Sequence, residues 1–239
     1  METMRTRATD LLPSVLLTVL SIVQALALEL LWTRIRESSY LWTLGWDALL
    51  GWTQVAAMLL GFLLVWLFFI SVVMRFRWLP SIQDSVVPFG IGILEFSLID
   101  LMGPDSLAPW LYVLALIFAV STWASHTIFR RARQDPGNRE FFESVPPATL
   151  RDFVPSISAI AGIGLLGLVL HFSGSQGWLA LGAVLIAIAA LAYQIELTRR
   201  YFERSISNSH SSEAAASRAV EADGRTGLSK RSAVAFRLP

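Results

Sequence analysis

The chain has 239 residues, 54% of them hydrophobic and only 15% charged, and carries a formal charge of +1 at pH 7. That balance excludes an ordinary water-soluble domain, and no basic stripe of the kind nucleic-acid binding requires is present. Cysteine is absent and Lys230 is the sole lysine, which removes disulfides, thiolate chemistry, Cys-based metal sites and intramembrane Schiff bases.

Apolar runs fall at about 11–32, 50–74, 79–102, 109–129, 153–172 and 178–198. Each is near the twenty residues or so that a helix needs to cross roughly 30 Å of hydrocarbon. The first follows METMRTRATD, is too long for a cleaved signal peptide, and reads as a retained helix. The fold expected is therefore an all-α, polytopic transmembrane bundle of six spans arranged as three antiparallel hairpins. Arginines alternate between the links. Arg5, Arg7, Arg75, Arg77, Arg130, Arg131, Arg133, Arg139, Arg151, Arg199, Arg200 and Arg204 fall on one side, and Arg34 and Arg36 on the other. Because cytoplasmic segments retain cationic residues, both termini are expected in the cytoplasm.

In the first span, Ser14, Thr18 and Ser21 form a polar stripe at helical spacing, and Glu29 follows near the far end. Tyr40, Trp42 and Trp46 in the next link suit a headgroup-level aromatic belt. The third span holds VVPFGIGILEFSLIDLMG, with Asp84, Pro88 and Glu95 within about 20° of one another on the helix. Asp100 points about 140° away from Glu95 and lies close to the following turn, where it reaches water. Glu95 is about 22 Å along the helix from Pro80, deep enough that an acid facing lipid costs up to ~3 kcal/mol. It is expected to face the bundle interior, protonated, hydrogen-bonded or lining a wet cavity. In the fourth span, Ser121, Thr122, Ser125 and His126 share a face. Folding about GPDSLA sets Asp84 beside His126, either as a proton gate or as a structural pair.

The link 130–151 contains NREFFESV, which suits a short interfacial helix ended by Pro146 and Pro147. GIGLLG at 162–167 spells a dinucleotide fingerprint but follows no strand. Its Gly162, with Ser158, reads instead as a small face for packing against Ala183, Ala187 and Ala190 of the sixth span. Residues 1–204 form the transmembrane domain, and 205–239 read as a disordered tail.

Pro-Ser recurs in LPSV, LPSI and VPSI, each opening an odd-numbered span, with Asp10 and Asp152 placed as N-caps. Counting from each proline reaches Glu29, Glu95 and His171 at matched depth. Three repeated hairpins would then carry a polar ring able to pass protons or hold a cation. The alternative is that Glu29 snorkels outward and His171 caps a helix end. The reading that results is a small proton- or cation-coupled transporter or channel using Glu95, Glu29, His171, Asp84, His126 and Asp100. A non-transporting scaffold, assembly factor or subunit of a membrane complex is the alternative. No enzymatic activity and no cofactor are expected. The scattered histidines give no metal site. The partners expected are the lipid bilayer and a second copy or a membrane complex, not nucleic acid. Arginine in place of lysine suggests a GC-rich genome and a bacterial inner membrane.

Overall fold

The structure, a computed structural model, describes residues 4–76, 82–144, 149–174 and 177–200. Seven α-helices occur among them. They are α1 (Met4–Glu37), α2 (Trp46–Arg75), α3 (Ile82–Asp100), α4 (Leu107–Ala132), the short α5 (Arg139–Ser144), α6 (Leu150–Ser173) and α7 (Trp178–Arg200). No strand is found among the described residues. Residues up to Ile195 make one compact unit. In the unit beginning at Glu196, that carboxylate pairs with Arg199 at 2.8 Å and Arg200 at 2.7 Å.

Six spans in three hairpins is not what forms. Among the described residues, five helices are long and apolar enough to cross a membrane: Leu11–Glu37, Trp46–Met74, Pro104–Ala132, Phe153–Ser173 and Trp178–Arg200. The helix left out is α3, only 19 residues long, with Asp84, Glu95 and Asp100 in its sequence and Pro88 inside it. Five such helices among the described residues do not give the even alternation on which the common side of both termini was expected. The pairing differs as well. α6 packs most extensively on α4 and α1 on α3, while the expected partners α1 and α2 share a smaller interface.

The close approaches explain this pairing. A Cβ built on Gly92 of α3 would collide with Cγ1 of Val23 on α1. One on Gly167 of α6 would sit 2.9 Å from Cε1 of Tyr112 and 3.3 Å from the Ala108 carbonyl oxygen, both on α4. Glycine at these two positions lets the backbones meet, which is how helices associate where lipid offers no hydrophobic drive between them. Gly92→Ala is accordingly expected to lower thermal stability in detergent by about 1–3 kcal/mol, the cost of overpacking a stiff β-branched neighbour. Val23→Ala in the same chain should restore most of the loss.

The prolines do not open their helices. Pro13 and Pro155 lie inside α1 and α6, so Asp10 and Asp152 are helical residues and not N-caps. Pro80, Pro146, Pro147 and the tail 205–239 lie outside the described residues. The NREFFESV stretch contains α5, which the preceding turn holds in place. Asp135 accepts from the Gly137 N–H at 2.9 Å, and Asn138 Nδ2 donates to the Ala132 carbonyl at 2.7 Å. Phe141 and Phe142 then pack on Phe76, with ring centres 5.0 and 5.4 Å apart.

Long helices bury narrow seams. On α1 the seam is Leu16, Leu20, Gln24, Ala27, Leu31 and Ile35, at steps of four except for the three between Gln24 and Ala27. On α3 it runs Val87, Ile91, Glu95 and Leu98, and Met102 just beyond the helix continues it. On α7 it is Ala180, Ala183, Ala187 and Leu191. The α3 seam carries an acid in its middle.

Candidate functional site

Glu95 is 1% exposed and is the one buried acid among the described residues. Its position follows from its register, since it stands four residues after Ile91 and three before Leu98, both buried. Gln24 of α1 reaches it across the helix interface. The Gln24 Nε2 donates to Glu95 Oε1 at 3.3 Å and to the Phe62 carbonyl of α2 at 2.9 Å. One amide nitrogen with two hydrogens thus ties three helices together, using both of its donors.

The second carboxyl oxygen, Glu95 Oε2, is buried and has no hydrogen-bond partner. Glu95 lines a cavity of about 50 Å³ between α2, α3 and α4, touched by Leu191 of α7. The other lining side chains are aliphatic or aromatic except Ser121, whose hydroxyl oxygen is also buried without a partner. A buried carboxyl oxygen is unsatisfied in either state: ionised it needs a donor, protonated it needs an acceptor. A void of this size admits water-sized guests, for which roughly 10–15 Å³ each suffices. Neither oxygen opens onto that space, whose exposed surface is apolar, so Glu95 meets it through its carbon atoms.

The other candidate residues are placed elsewhere. Glu29 and His171 are exposed, so the ring of three does not assemble. Glu29 lies two residues from both Ala27 and Leu31 of the buried seam, on the opposite side of α1. His171 has its nearest aromatic contact with its neighbour Phe172, at 5.4 Å. His126 is exposed and packs edge-on against Phe153 at 5.1 Å. The side chain of Asp84, and with it the Asp84–His126 pairing, lies outside the described residues. Asp100 is exposed as its register predicts, and its backbone carbonyl accepts from Arg34 at 3.4 Å. Ser158 is exposed and Gly162 has open space around it, while Ala183 and Ala187 are buried. The hydroxyl stripe of α1 returns to its own helix. Ser14 donates to Leu11 O at 2.7 Å, Thr18 to Ser14 O at 3.0 Å and Ser21 to Leu17 O at 2.9 Å.

Gln24 and Ser121 are the site residues that sequence reasoning does not single out as ligands. The signal for Gln24 was present, because it is the one amide in the apolar run 11–32 and sits four residues after Leu20 and three before Ala27.

No family model, curated protein or solved structure matches the chain. Fold and site define its class without one. It is an all-helical, multi-pass integral membrane protein with one buried acid held by an internal hydrogen bond.

Proposed function

We propose that the protein is a small proton- or cation-coupled transporter or ion-conducting protein of a bacterial inner membrane. In this reading Glu95 takes up and releases the travelling charge. The observation that carries it is Glu95 Oε2, buried inside the bundle without a hydrogen-bond partner. An acid within an apolar bundle is costly to keep, and a structural acid has its oxygens paired. Here one oxygen is anchored by Gln24 and the other has no partner. No chemical step is assigned, and the protein is taken to be a carrier of charge and not an enzyme.

The test is proton and cation flux into proteoliposomes holding the full chain. Glu95→Gln keeps the acceptor for Gln24 and nearly the same shape, so the fold should persist, while the titratable group is gone. Flux is expected to fall at least tenfold. Equal flux in the two proteins would overturn the reading. No flux in either would favour a scaffold, for which α5 packed on Phe76 supplies a ready surface.

A further inference from the structure

We propose that the cavity between α2, α3 and α4 receives the methyl end of a phospholipid acyl chain. The inference is independent of the transport reading, since it uses the surface, size and depth of the cavity and not its acid. Surface comes first. The space of about 50 Å³ exposes only apolar surface, and Glu95 and Ser121 turn carbon atoms to it. Such a void offers water no partner and forfeits dispersion contacts along its walls, so an aliphatic guest is the one that suits it. At roughly 10–15 Å³ for each water-sized sphere it holds about four heavy atoms, which is the end of a chain and not a whole lipid.

Depth identifies the source. The span Trp46–Met74 is centred on Leu60 and the span Pro104–Ala132 on Phe118. α2 lines the cavity between Ala57 and Phe69, and α4 lines it between Leu114 and Ala124, with Phe118 itself on the wall. Both helices therefore set it within about 5 Å of the bilayer midplane, where the two leaflets bring their chain ends together. Headgroups lie some 15 Å away, half of a hydrocarbon layer about 30 Å thick, so tails alone reach it. A route from the lipid is present. α2 shares little surface with α3 and less with α4, and the gap between them is partly open. Gly61, Leu64 and Phe68 line it and are half-exposed, which puts that edge at the flank of the bundle. A Cβ built on Gly61 meets only Cδ2 of Leu191 on α7, at 4.0 Å, so the missing side chain leaves room there.

The experiment places the full chain in phosphatidylcholine vesicles that include a lipid with a diazirine at the end of its acyl chain. Photoadducts are mapped by mass spectrometry. They are expected on Leu114, Phe118 or Ala124 of the inner wall, which are buried, as well as on the outward Leu59 and Leu63. Gly61→Leu fills the space and should lower the inner-wall adducts at least tenfold, while those on Leu59 and Leu63 hold. If that variant is misfolded by size exclusion, Gly61→Ala replaces it, because its methyl stands at ordinary contact distance from Leu191. It should lower the same adducts at least twofold. Adducts on the outward residues alone would overturn the proposal, and so would inner-wall adducts that ignore the substitution. Inner-wall adducts from a lipid with the diazirine beside its headgroup would overturn the depth assignment. Adducts formed by a free diazirine alkane of matching size, but not by the lipid, would make the guest a free apolar molecule and sink the lipid source.

Discussion

Trp110→Ala is expected to lower the unfolding free energy by about 2–3 kcal/mol, read as a fall in the thermal midpoint in detergent. Trp110 is fully buried on α4 within the larger apolar cluster, which also contains Leu98, Leu111, Leu114 and Leu31. In a soluble core such a truncation costs about 3–5 kcal/mol, part of it transfer from water. Lipid is as apolar as the bundle, so the transfer part vanishes and the lost packing remains. A hole of about 100 Å³ after relaxation, at ~24 cal/mol per Å³, gives the lower figure. Trp110→Phe separates size from polarity. The indole N–H has no hydrogen-bond partner, so phenylalanine deletes an unsatisfied donor while keeping most of the volume. Its stability should lie within about 1 kcal/mol of the parent protein. A loss as large as that of alanine would mean that the N–H is bonded in solution, through water or lipid.

How much of this was legible in the sequence depends on which geometric coordinate a residue reports. Apolar run length fixes the depth of a residue well, and the long helices α1, α2, α4, α6 and α7 follow from it. Run length fails for α3, where an apolar stretch of adequate length carries acids and a proline, and the helix ends at Asp100. Depth alone also produced the ring of Glu29, Glu95 and His171. The direction around the helix was legible too, since Leu16, Leu20, Gln24, Ala27 and Leu31 mark the buried side of α1 and Glu29 lies away from it. Glu95 passes the same check, which is why the expectation of an inward acid agrees with the structure. Which helix meets which was not legible. Small residues occur on both sides of α6, and only the fitted surfaces select Gly167 against Tyr112 over Gly162 against α7. Hydroxyl stripes mislead for a related reason, because a serine can bond its own preceding turn as readily as a neighbour.

Gln24→Leu is the substitution that should separate stability from function at the site. It removes the donor that Glu95 Oε1 receives, leaving a buried carboxyl with no hydrogen bond to either oxygen. It also removes the amide from the Phe62 carbonyl. A loss of about 1–2 kcal/mol is expected, at the upper end of what interhelical hydrogen bonds contribute in membrane bundles. Glu95→Leu should cost less, because Gln24 keeps its bond to Phe62 and the unsatisfied acid is gone. In the double variant the two apolar side chains meet, and its stability should exceed the sum of the single losses by about 1 kcal/mol, the signature of direct coupling. Flux should follow a different pattern. Gln24→Leu retains the carboxyl and some activity, whereas both variants lacking Glu95 are inactive, including the double variant despite its recovered fold. Activity that tracked stability through all three proteins would make Glu95 a structural acid and remove the basis for transport, since a charge carrier must fail when its carboxyl is absent, however well the helices pack.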